Sequence, residues 1–173
     1  MQGRSSAVPG AVAFSPPTDF RQMDPHMIGG GQGFNRIFGL TGGHADPKSP
    51  ESRRLGCPVR SCPDRVRQAD PLTYVGAGTP PMLILYGRQD LLVPYRQSEL
   101  LAQGLGRAGA SGVLYTLPWG LHGDWNEFLI SPALQRDATR QVIGGGAVRP
   151  AESASPNRQT ITDFFRGMTA ARP

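Results

Sequence analysis

Lysine is nearly missing from this chain. Lys48 is the only one, so the net charge of +5 and the pI near 9.9 come from arginine. The arginines are dispersed, with one mild grouping at Arg53, Arg54, Arg60, Arg65 and Arg67, and no basic stripe interleaves with the aromatics, which make up 8% of the residues. A nucleic-acid surface concentrates its cations on one face, so no nucleic-acid partner is expected. Long apolar runs are also lacking. Nothing approaches the roughly 18 residues that a spanning helix requires, so no membrane span is expected. The opening stretch AVPGAVAF is too short and too broken, by Pro9, to serve as the apolar region of a signal peptide. GxGxxG is missing, and the glycine-dense MIGGGQGF at 27–34 has no Lys-Ser/Thr pair after it, so phosphate-cradling motifs are excluded and a mobile loop is expected there. Cysteine is scarce. Cys57 and Cys62 are too few for a zinc site alone, and His26 and His44 stand upstream without finger spacing. Three readings stay open for the pair: a small loop disulfide if the protein is exported, free thiols if it is cytosolic, or a metal pair.

What is present suits one domain. A chain of 173 residues can bury a sizeable core. Apolar residues at 38%, with 23 glycines and 17 prolines, predict long loops rather than a tight helical bundle. Residues 8–14 read as a short buried strand broken by SPPTDF, where Thr18 or Asp19 can cap a short helix. Residues 24–56 read as loop, and 63–69 as a helical turn. Residues 82–86 are five apolar side chains without alternation, the pattern of a strand covered on both faces. After Pro94, Leu100, Leu101, Leu105 and Ala108 share a helical face that ends near Gly109. A further strand is expected at 112–118. Strand, helix and strand make a βαβ unit with parallel strands, and the fold class is α/β. A helix is expected near 124–143, then a low-complexity linker at 144–157. A last helix follows, on which Ile161, Phe164, Phe165 and Met168 share one face and Ser155 or Asn157 is the cap.

The chemistry concentrates at two strand ends. Asp90 stands just past the first strand of the βαβ unit and His122 just past the second. Ligands meet such sheets at the carboxyl ends of the strands, and neighbouring strands run about 4.8 Å apart. The two loops can therefore bring a carboxylate to an imidazole. In such a pair the acid accepts the Nδ1 proton and fixes the tautomer, and the other nitrogen takes a proton from a hydroxyl. The plainer readings are a turn or cap role for Asp90 and an ordinary loop position for His122.

Residues 69–123, from ADPLTYVGAG to LPWGLHG, resemble the C-terminal half of α/β-hydrolases of the acetyl-esterase and lipase kind, most of all the branch with feruloyl-esterase-like proteins. GAVAFSPPTDF at 10–20 resembles the strand and turn after the nucleophile helix of those enzymes, and LGCPVRSCPDRVRQADPLTYV at 55–75 resembles a cysteine-bearing loop of some members. The resemblance implies the C-terminal portion of an α/β-hydrolase fold, a parallel sheet with about three strands present and helices on its flanks. Residues 1–143 would be the partial domain and 158–173 its closing helix. It also implies a carboxylic-ester hydrolase acting on small-molecule esters without metal or organic cofactor, with Asp90 as triad acid, His122 as base, and Val93 and Pro94 as the turn after the acid.

The chain departs from that pattern at the nucleophile. The fold places its serine in Gly-x-Ser-x-Gly, ahead of the acid and the histidine. GRSSA offers Ser5 but has Ala7 where the second glycine belongs, and GGH at 42–44 has the wrong order for an oxyanion motif. The elbow is therefore expected ahead of Met1, with a missing N-terminal half needed to complete the sheet and an inactive chain without it. The strand at 8–14 would then be an open edge. Trp119 and Leu121 are bulkier than the residues usual around the histidine. Two alternatives stay open, a serine peptidase of the prolyl-oligopeptidase kind and a non-catalytic remnant or binding module.

Overall fold

The structure is a computed structural model and describes residues 7–123 and 128–170. Ser5, the poor nucleophile candidate, lies outside the described residues. After strand β1 (Ala11–Phe14) come three short helices, α1 (Gln32–Phe38), α2 (Pro50–Leu55) and α3 (Pro63–Ala69). Strand β2 (Met82–Gly87) leads through α4 (Arg96–Arg107) into β3 (Gly112–Leu117). The chain then forms α5 (Pro132–Gln135), strands β4 (Thr139–Gly144), β5 (Ala147–Val148) and β6 (Glu152–Ser153), and the closing helix α6 (Arg158–Ala170).

β1, β2 and β3 are neighbours and parallel, with Ala11 beside Met82 and Met82 beside Gly112. The uninterrupted apolar run of β2 has the explanation its sequence suggests. Ile84 and Tyr86 face a core with Leu101, Ala102 and Leu105 of α4, while Leu83 and Leu85 face Ile161 and Phe164 of α6. Leu83, Ile84 and Leu85 are all buried. Each such side chain stabilises the fold by about 2 kcal/mol relative to exposure.

The sheet is larger and more mixed than expected. Beyond the three parallel strands it has three more, and β4 runs antiparallel to β3, to β5 and to β6. Two expectations are corrected here. Of the helix expected near 124–143, residues 124–127 lie outside the described residues; Phe128 is helical, α5 is a single short turn, and strand β4 follows it. Residues 144–157, read as linker, turn back on the sheet. Gly144 pairs with Ala147 across Gly145 and Gly146, both at positive φ, as a two-residue primed turn requires. Arg140 pairs with Glu152 across β4 and β6, with its Nε 2.8 Å from Oε1. A third correction concerns residues 24–56, where α1, α2 and several 3-10 turns replace the expected loop.

Local chemistry accounts for the junctions. Asp19 caps a 3-10 turn at Phe20–Gln22 by accepting from the Arg21 amide. The amides of Thr18 and Asp19 both donate to Oε1 of buried Gln97, at 2.8 and 2.7 Å, which ties the exit of β1 to the first turn of α4. Asn157 accepts from the Thr160 amide at 3.1 Å at the start of α6. Cys57 and Cys62 form a disulfide with Cα atoms 6.3 Å apart, which closes the free-thiol and metal readings for that pair. No helix among the described residues is long and apolar enough to cross a membrane.

Candidate active site

β2 and β3 end level with each other, Gly87 beside Leu117. The loops that leave them are stitched together by backbone. The Arg88 amide donates to the Leu117 carbonyl at 3.0 Å and the Gln89 amide to the Gly120 carbonyl at 2.9 Å. This approach requires glycine on both sides. A Cβ on Gly87 would sit 2.9 Å from the Gly120 Cα, and one on Gly120 would strike the Phe128 ring.

That stitching brings Asp90 and His122 together. Nδ1 of His122 lies 2.9 Å from Oδ2 of Asp90. The other carboxylate oxygen, Oδ1, accepts from the amides of Leu92 at 2.8 Å and Val93 at 2.9 Å. The turn role and the histidine-holding role thus coexist, one on each oxygen. Asp90 is fully buried, whereas the His122 side chain is 35% exposed. A buried acid and a reachable imidazole form the asymmetric arrangement that an acid–base relay needs, since the base must meet a substrate and the acid must not. Val93 and Pro94 follow the acid as a buried turn, and the Val93 carbonyl accepts from the phenol of Tyr86. Burial, and then the nearby charge of Asp90, push the Tyr86 phenol far above its ordinary value, so it stays a neutral donor. Arg88 lies over the Tyr95 ring, 4.7 Å from its centroid.

Trp119 and Leu121 project outward, each about half exposed, and flank His122 on its loop. A cleft of about 410 Å³ opens elsewhere, between Pro71, Tyr74, Val75, Met82 and Leu101, and borders neither Asp90 nor His122. Among the described residues no cluster of three His, Cys, Asp or Glu is placed to hold a metal.

Two features escaped the sequence reading. Ser15 leaves the end of β1 with φ of +38° and is buried, its side chain close to the Tyr86 phenol. A serine after a short strand gives no sign of that backbone. The second is a buried pair in which His44 Nδ1 lies 2.9 Å from Asp24 Oδ1. The two are twenty positions apart in a stretch without periodicity, so nothing in the sequence links them. His26, the other histidine considered for zinc, is exposed.

Comparison with known proteins adds an independent finding. The family model described as BD-FAE matches residues 2–105, which include Asp90 but not His122. Among solved structures, the chain is similar to a truncated form of a carbohydrate esterase from gut microbiota, at 22% identity and a TM-score of 0.52, covering 95% of this chain and 43% of that one. It is also similar to a bifunctional GH43-CE protein of Bacteroides eggerthii, at 19% identity and a TM-score of 0.60, covering 96% of this chain and 16% of that one. At these identities the likeness shows the fold, an α/β-hydrolase arrangement with a mostly parallel sheet. The chain spans less than half the length of either structure. No curated protein matches it.

Proposed function

The chain belongs to the BD-FAE family of esterase-type α/β-hydrolases, and from that premise we propose that Asp90 and His122 are the acid–base half of a carboxylic-ester hydrolase. The observation that carries the reading is the 2.9 Å contact between a fully buried carboxylate and an imidazole that solvent can reach. Asp90 accepts the Nδ1 proton, fixes the tautomer and stabilises the imidazolium that forms during turnover. Nε2 then takes the proton of a serine hydroxyl as that oxygen attacks the ester carbonyl. It later returns the proton to the departing alcohol.

The serine is not provided by the described residues. No Gly-x-Ser-x-Gly occurs in the sequence, and in this fold it precedes the strand that β1 resembles. No residue of this chain is assigned as the nucleophile, and the 173-residue chain by itself is expected not to turn over esters. Short acyl or aryl esters of small alcohols or sugars are the substrate class, in keeping with the carbohydrate esterases whose fold the chain shares.

The test uses two proteins. In a longer protein that contains this chain and its serine, His122→Ala is expected to abolish p-nitrophenyl acetate hydrolysis, and retained turnover rejects the role. The 173-residue chain is expected to resist a fluorophosphonate probe, and covalent labelling of any of its serines shows that the nucleophile lies within it.

A further inference from the structure

The Leu92–Val93 peptide group has both its ends occupied. Its N–H, on Val93, donates to Asp90 Oδ1 at 2.9 Å. Its carbonyl, on Leu92, meets Nε2 of His44 at 2.8 Å. A carbonyl oxygen only accepts, so Nε2 donates. Nδ1 of the same ring faces Oδ1 of Asp24 at 2.9 Å, and that carboxylate also accepts from the backbone amides of His44 at 2.7 Å and Ala45 at 3.1 Å. Burial works to raise the Asp24 carboxyl, but the hydrogen bonds from His44 and Ala45 outweigh it and hold the group below its ordinary value. Glu51 and Arg60 are the other charged groups nearby. Burial raises the Glu51 carboxyl and the charge of His44 opposes that rise, while Arg60 stands 3.9 Å from Asp24.

The ring itself has little freedom. It is 1% exposed and stacks on Phe34 with centroids 3.8 Å apart. Its own carbonyl accepts from Ser49 Oγ at 2.6 Å. Met27, Phe34 and Leu40 pack as a cluster against Leu92. One polar chain therefore runs from Asp24 through His44 and a single peptide group to Asp90 and then His122. Each link polarises the next, because a carbonyl that accepts strengthens the N–H of its own peptide as a donor.

We propose that His44 is a positioning residue for Asp90: anchored by Asp24, it fixes the Leu92–Val93 peptide and through it the orientation of the carboxylate that meets His122. The proposal rests on the reading of Asp90 and His122 as an acid–base pair. It gives the segment between β1 and β2, otherwise a string of short helices, a part in the site.

The test exploits two amide side chains of different reach. Glutamine at position 44 presents an N–H near the place of Nε2, and asparagine one near that of Nδ1. Amide hydrogen exchange is read in the 173-residue chain, together with the His122 Nδ1–H proton resonance. In His44→Asn the Leu92 and Val93 amides are expected to exchange about tenfold faster, the equivalent of one lost hydrogen bond, with loss of the His122 signal. His44→Gln is expected to restore both to within about threefold of the parent on the same scale. Equal exchange in the two variants, or an Asn variant like the parent, overturns the proposal. Should the Asn variant not fold, the nitrogen-15 spectrum of the unsubstituted protein decides: a proton on Nε2 of His44 supports the proposal, and a bare Nε2 overturns it. These readouts do not involve hydrolysis, so a failed esterase assay leaves the positioning result standing, and the reverse also holds.

Discussion

Asp90 offers a stability test that needs no substrate. The carboxylate is fully buried and accepts three hydrogen bonds, from the Leu92 amide, the Val93 amide and the His122 ring. Asp90→Ala strands both amides. An unpaired buried N–H costs about 1–3 kcal/mol, and relief from burying a charge offsets part of the sum, so a net loss of about 3 kcal/mol is expected. Asp90→Asn retains Oδ1 and keeps both amides paired. It loses only the charge-assisted bond to His122, about 1 kcal/mol. In a domain of this size 1 kcal/mol moves Tm by about 2–4 °C. The alanine variant should therefore melt about 6–12 °C below the parent and the asparagine variant about 2–4 °C below, on the same relation. Differential scanning calorimetry at neutral pH reads both. Coincident melting of the two variants, or an asparagine variant worse than alanine, would refute the division of labour between Oδ1 and Oδ2.

Three further outcomes follow from the same structure. Gly87→Ala drives a Cβ into the Gly120 backbone and is expected to cost roughly 1–3 kcal/mol; urea denaturation measures it, and an unchanged midpoint would show that the two loops do not touch. Reducing the Cys57–Cys62 disulfide, whose partners are five positions apart, should cost about 2 kcal/mol for so short a loop, seen as a lower urea midpoint in the presence of phosphine reductant; an equal midpoint contradicts it. Burial, aided by the nearby charge of Asp19, pushes the Asp70 carboxyl up to about 6. A raised carboxylate contributes stability that is present below about pH 4 and lost as pH rises through about 6. Asp70→Asn, which still accepts from the Phe20 amide as Asp70 does, should therefore outlast the parent in thermal melts at pH 7 and lose that advantage at pH 4. A constant difference between the two pH values would reject the assignment.

The parts of the fold legible in the sequence are those where burial leaves a pattern. The five apolar residues at 82–86 lie within β2, and the leucines of 100–105 face the core from α4. Asp90 and His122 were legible as a pair because chain order and strand ends place both on one rim. The second half of the sheet was not legible, for a chemical reason. β4 reads TRQVIG, with one buried apolar residue, and the glycines after it look like linker until two positive φ values make them a hairpin turn. Segment 24–56 was missed because hydrogen bonds between distant residues hold it, such as Asp24 to His44, and periodicity does not report on those.

The central claim is that the carboxylate of Asp90 sets the proton on His122. The most direct measurement is the nitrogen-15 spectrum of the His122 ring in the parent and in Asp90→Asn. The expected parent spectrum shows the proton on Nδ1 with a downfield resonance, and the expected variant spectrum shows it moved to Nε2, because an amide N–H now faces Nδ1. A parent ring already protonated at Nε2, or a tautomer indifferent to the substitution, would contradict the account.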